Sequence, residues 1–164
     1  MPGPGTYESG GSIFSGLTGY VRMDKINKRV SVRPASRSPV LPTLGSTVLG
    51  SVANAQEKMA TVNILKINDV LLQTPFSALL HISSSSPRFQ RHMGEVCKVG
   101  DIVRAKVESM TSRVPLLTTI GRNLGVVQAF CSRCGEVLEL KSRRLVCPAC
   151  GSVEHRKIAE DYWR

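Results

Sequence analysis

The chain has 164 residues, 41% of them hydrophobic and 5% aromatic, with 22 lysines and arginines against 12 acids for a formal net charge of +10. That balance is that of a soluble globular protein, and no run reaches the ~18 to 20 apolar residues of a membrane-spanning helix, so a bilayer-crossing role is excluded. The opening "MPGPGTYESGGS" has neither the basic start nor the apolar core of a secretory signal, which predicts a cytoplasmic or nuclear protein, and the positive charge, spread along the chain, favours a nucleic acid as partner.

The first third predicts a small β domain over residues 1–33. "GGSIFSGLTGYVRMDKINKRVSVRP" is rich in glycine and serine, and its apolar runs Ile13-Phe14, Tyr20-Val21 and Val30-x-Val32 are of strand length, which suits hairpins. The prolines and serines of "PASRSPVLP" then stiffen the backbone and deny it ladder donors, so residues 34–43 read as a linker.

Residues 44–121 hold five candidate strands. They are "STVLGSV" with Val48, Gly50 and Val52 alternating, "ATVNILKI", "FSALLHI" after a break at Pro75, "DIVRAKV" and "PLLTTI". The fourth alternates best, with Val103, Ala105 and Val107 on one face and Arg104, Lys106 and Glu108 on the other. Ser86-Pro87 predicts the start of a short helix that Gly94 or Gly100 ends. Five strands with a helical turn between the third and fourth is the order of an OB-type barrel, so the fold class expected is all-β and multidomain.

Residues 122–164 carry the strongest chemical signal, "CSRCGEVLELKSRRLVCPACG". Two Cys-x-x-Cys-Gly turns, Cys131/Cys134 and Cys147/Cys150, are separated by strand-like "EVLEL" and "RRLVC" around the turn "KSR", the spacing of a zinc ribbon. An iron–sulfur centre, a redox pair or an apo state are the other readings of the same cysteines. Four thiolates close a tetrahedral shell and leave no position for a reactive water, so the expected cofactor is one structural Zn2+ that replaces a core too small to form alone. His155 is expected to be solvated, and Cys97, the odd thiol in "GEVCKVGD", to be an inert apolar filler.

His81 at the end of the third strand lies where an OB barrel presents its nucleic-acid face, and Arg88, Arg91, Arg104 and Lys106 are candidates to track a phosphate backbone. Phe76 and Phe89 are the two aromatics of the barrel, too few for a platform stacking several bases, so binding is expected to be weak, salt-sensitive and indifferent to sequence. No His-Glu-x-x-His, no phosphate-binding Gly-rich loop and no cluster of acids suggests catalysis, and the chain reads as a binding protein.

Three segments in order, "GTYESGGSIFSGLTGYV", the barrel with "LGSTVLGSV", "ALLHIS" and "VGDIVRAKV", and "NLGVVQAFCSRCG…LVCPACGSVEHRKIAEDY", resemble an exosome cap-subunit family. That family carries an N-terminal β domain, an OB domain of the ribosomal-protein-S-one type and a zinc ribbon, and the last segment is similar to its archaeal form. The resemblance implies a non-catalytic subunit that sits with other cap subunits, as a trimer, on a ring of RNase-PH-like proteins and guides RNA into the pore for 3′-to-5′ degradation and processing. It assigns docking on the ring to the segment with Tyr7, Phe14 and Tyr20, and in archaeal assemblies implies a primase-like partner. The family usually has a further strand and a "PGD" motif before "GTY", so the first domain is either truncated or docks with less. "EKMATVNIL" lacks the module's second-strand aromatics, whereas His81 matches its third-strand histidine. A free-standing transcription or translation factor and a zinc enzyme are the alternatives; the former has no need of residues 1–33.

Overall fold

The structure is a computed structural model that describes residues 1–35, 40–111, 114–142 and 144–162. It divides into two compact units, Met1–Pro39 and Val40–Arg164.

The first unit is two hairpins. Strands β1 (Thr6–Ser9) and β2 (Ser12–Ser15) are joined by Gly10 and Gly11, both at positive φ, the conformation that a two-residue turn demands and that glycine adopts without strain. Strands β3 (Gly19–Asp24) and β4 (Arg29–Pro34) are joined by a loop in which the Asp24 carboxylate accepts from the amides of Ile26 and Asn27 at 3.0 and 3.1 Å. The strand runs through Pro34, one residue into the expected linker, and residues 36–39 of that linker lie outside the described residues. The residues ahead of "GTY" are used: Gly3 donates to the Val30 carbonyl at 2.8 Å, and Val32 donates to that of Pro4 at 3.0 Å. Among the described residues of this unit Val32 alone is buried, while Tyr20, Met23 and Ile26 are 75%, 69% and 93% exposed.

The second unit begins with the expected barrel. Strands β5 (Thr47–Ala55), β6 (Met59–Ile67), β7 (Val70–His81), β8 (Ile102–Thr111) and β9 (Val114–Thr118) close in the order β5-β6-β7-β9-β8-β5, antiparallel except for the parallel pair β7–β9. Alternation sends Val48, Gly50 and Val52, then Ala60, Val62 and Ile64, and Val103, Ala105 and Val107 into the core. Gly50 is required by closure: a Cβ there would stand 2.5 Å from the Asn63 carbonyl oxygen of the adjacent strand.

Two local expectations are corrected. Pro75 does not break the third strand, because β7 is continuous and Pro75 falls in an irregularity between the pairs Ile64↔Phe76 and Lys66↔Leu71, where no ladder donor is needed. The helix from Ser86 is absent. Two 3₁₀ turns, Ile82–Ser84 and Met93–Glu95, flank an irregular stretch, since "SPRFQRH" has no apolar period to bury and Met93 instead enters the core, its amide bonded to the Glu57 carbonyl at 3.0 Å.

Beyond the barrel, "GVVQ" forms β10 (Gly125–Gln128), a sixth strand paired with β8 that the sequence reading did not mark. It leads into a three-stranded ribbon of β11 (Glu139–Lys141), β12 (Arg144–Val146) and β13 (Val153–Glu154); Arg143 of the turn "KSR" lies outside the described residues. The core runs on without interruption, because Val126, Ala129, Leu138, Leu145 and Tyr162 belong to the same apolar cluster as the barrel interior. Tyr162 fastens the C-terminal segment to the entry of the ribbon, donating its hydroxyl to the Leu138 carbonyl at 2.7 Å and accepting from the Ala129 amide at 3.0 Å.

Candidate metal centre and nucleic-acid face

Both Cys-x-x-Cys turns fold alike. Gly135 donates to the Cys131 carbonyl at 2.9 Å and Gly151 to that of Cys147 at 3.0 Å, each glycine at a positive φ (78° and 69°) that turns the chain back under its thiols. Strands β11 and β12 bring the turns together. The four sulfurs lie within 4.8 Å of one another, with Cys134 to Cys147 at 3.3 Å and Cys131 to Cys150 at 3.6 Å. A tetrahedral thiolate site needs donors at that mutual spacing, and an all-sulfur set suits a soft or borderline ion. These four residues fit a bound metal ion. His155 is exposed and outside the cluster, and Cys97 is buried in the core, where desolvation pushes its thiol up to about 12.

A buried ionic network ties this centre to the barrel, and the sequence reading missed it. Arg156, just after β13, donates from Nε to Asp101 at 2.6 Å and from Nη2 to Glu154 at 2.9 Å, with both the Arg156 and Asp101 side chains wholly buried. Asp101, at the mouth of β8, also accepts from the amides of Lys98 at 2.8 Å and Phe130 at 3.2 Å. Glu154 accepts from Lys98 Nζ at 2.7 Å and from the amide and hydroxyl of Ser132 at 2.7 and 2.9 Å, within the first metal turn. Burial alone would push the Glu154 carboxyl up, but the donors from Lys98, Ser132 and Arg156 prevail and hold it well below the usual carboxylate range. Glu154 and Arg156 are two apart in an extended segment, hence on one side of it. That spacing was the available signal; their partners 55 or more residues away carried none.

The candidate nucleic-acid residues do not all fare alike. His81 ends β7 exposed, with Nδ1 2.7 Å from the Ser83 hydroxyl. Leu80 pairs with Leu117, so the next step of that register sets Thr118 beside His81, and Thr118 in turn pairs with Lys106. Since Leu80 and Leu117 point inward, His81, Thr118 and the exposed Lys106 form one outward row across three strands, roughly 10 Å wide at the usual strand spacing. Arg88 and Arg91 are exposed in the stretch after the first 3₁₀ turn. Arg104 differs: Nη1 is 2.6 and 2.8 Å from the two oxygens of Asp161, so its charge is already matched within the chain. Phe76 packs against the core and Phe89 is 91% exposed. In the first unit Tyr7 and Phe14 are cross-strand partners with rings stacked 5.8 Å apart, and with Tyr20 they stay about half or more exposed.

No helix among the described residues is long and apolar enough to cross a membrane. No family model matches the chain. It is similar over nearly its whole length to curated proteins: 30% identical to the exosome complex component Csl4 of Archaeoglobus fulgidus, covering 99% of this chain and 88% of that one. It is 32% identical to the exosome complex component csl4 of Schizosaccharomyces pombe, covering 96% and 88%, and 30% identical to that of Homo sapiens, covering 96% and 85%. A likeness of this kind spans the hairpin unit, the barrel and the ribbon together, and by it the chain belongs to the Csl4 family of exosome complex components.

Proposed function

We propose that the chain is a non-catalytic, RNA-binding cap subunit of an exosome in the cytoplasm. In this role it guides RNA to the pore of an RNase-PH-like ring for 3′-to-5′ degradation and processing. The observation that carries the reading is the likeness to exosome components along the whole chain, supported by the net charge of +10 and the outward row of Lys106 and His81 on the barrel. His81, Arg88, Arg91 and Lys106 contact the RNA backbone in this reading; Arg104, matched by Asp161, contributes less. The ion held by Cys131, Cys134, Cys147 and Cys150 is one Zn2+ with a structural role, because four thiolates leave no open position. Tyr7, Phe14 and Tyr20 dock on the ring, beside other cap subunits in a trimer, and an archaeal assembly adds a primase-like partner. A hairpin unit with one buried apolar residue among its described residues and many exposed ones suits a surface completed by a partner.

Reconstitution tests this. Added to a purified RNase-PH-like ring, the chain should bind the ring and speed decay of a long single-stranded RNA, while alone it should leave the RNA intact. Metal-dependent shortening of RNA by the purified chain alone would overturn the reading. Elemental analysis should return one zinc per chain.

A further inference from the structure

The stretch Ser85–Met93 presents an aromatic ring to solvent from a backbone held at both ends. On one side Ser85 is buried, its carbonyl accepting from the Thr119 hydroxyl at 2.8 Å while the neighbouring Ser84 carbonyl accepts from the Thr118 hydroxyl at 2.8 Å. On the other, Met93 is 0% exposed and its amide is bonded to the Glu57 carbonyl. Between these anchors Phe89 is 91% exposed, the most exposed aromatic of the second unit among the described residues. It lines a shallow cavity of about 360 Å³ with Ile82, Ser83, Ser86 and Arg88. The stretch from Ser83 to His92 carries two arginines and no acid, and neither arginine makes an ion pair among the described residues.

We infer that Phe89 is a nucleobase-stacking site: one base of a single strand lies on its ring, Arg88 and Arg91 hold the flanking phosphates, and the strand continues over His81 towards Lys106. Resting on the RNA-binding reading above, this adds a base contact to a purely electrostatic one. Continuity argues for it, since Ser83 lines the cavity under Phe89 and bonds His81, and Thr118 bonds the Ser84 carbonyl and pairs with Lys106. A ring flanked by unpaired cations matches a polyanion with aromatic bases better than an apolar or acidic protein surface. Stacking accepts any base, so the site adds affinity without sequence preference.

The test is fluorescence anisotropy of the full chain with two probes of equal length, oligoadenylate and an abasic ribose-phosphate strand. Phe89→Ala should weaken oligoadenylate binding by about five- to a hundredfold and leave abasic binding unchanged. Phe89→Trp should restore it, and Arg88→Ala should weaken both probes and lower the salt slope by about one. Equal binding of oligoadenylate by wild type and Phe89→Ala would overturn the stacking site while leaving the RNA-binding reading intact. Absence of binding by the wild type to either probe would overturn both. Unchanged RNA binding with loss of exosome subunits from Phe89→Ala would mark the ring as a protein contact and also overturn the inference.

Discussion

The two units solve stability in opposite ways. Val40–Arg164 is closed on itself: one apolar cluster runs from the barrel to the ribbon, an arginine–aspartate pair is wholly buried, and four thiols are gathered for a metal. Met1–Pro39 buries Val32 and leaves Tyr7, Phe14, Tyr20, Met23 and Ile26 in contact with water, held mainly by two ladders and two ordered turns. A two-stranded hairpin is at best marginal in water, so such a unit gains most from what it binds. The contrast teaches which residues should report on folding and which on assembly.

The largest effect should come from the metal. Removing it with a chelator, or Cys131→Ser, should melt the ribbon and lower the thermal transition of the second unit, since metal binding in small thiolate domains is worth on the order of 10 kcal/mol. Because Ser132 is bonded to Glu154 and Glu154 to Lys98, loss should spread to the barrel, read as faster amide exchange at Lys98 and Phe130. A variant with unchanged zinc content and melting temperature would break the comparison. Next, Arg156→Met strands Asp101 without its charged partner and should cost about 3–5 kcal/mol in denaturant unfolding. Adding Asp101→Asn should recover part of that, because the amide removes the unpaired charge and keeps an acceptor oxygen for the amides of Lys98 and Phe130.

Glu154→Gln should cost less, about 1.5–3 kcal/mol at neutral pH, the worth of hydrogen bonds to a buried charged group. Its carboxyl is held below its unfolded value of 4.5, so its contribution is present above that pH and is lost as pH falls through the folded value. The gap between wild type and Glu154→Gln, measured by denaturation at matched pH, should therefore be constant near neutrality and narrow below about pH 4.5. The smallest stability effect should come from Phe14→Ala. Losing one exposed cross-strand pair should cost less than about 1 kcal/mol and leave the melting of the second unit unchanged.

Local chemistry was legible in the sequence. The cysteine pairs with their glycines foretold the sulfur cluster because each turn is made within five residues, and the alternation of Val103, Ala105 and Val107 foretold an inward face. Where the reading went astray, a local signal was overruled by a distant one. Pro75 reads as a break, but a bulge in the pairing with β6 absorbs it. Ser86-Pro87 reads as a helix start, but the anchoring of Ser85 by Thr119 and of Met93 by Glu57 spans the stretch without a helix. Arg104 keeps its place on the outward face of β8, and only its ion pair with Asp161, 57 residues on, had no local signal. Asp101 and Arg156 are each an ordinary surface type in sequence, and only the docking of the ribbon makes them a buried pair.

The central claim is that this chain is an exosome cap subunit whose hairpin unit serves assembly. It is tested most directly by affinity recovery from the source cells with identification of partners by mass, using the full chain and its Tyr7→Ala/Phe14→Ala variant. The account predicts RNase-PH-like ring subunits with the wild type and their loss with the variant, at equal zinc content and equal melting temperature. Recovery of polymerase or ribosomal proteins in their place, or of ring subunits equally by both chains, would contradict it.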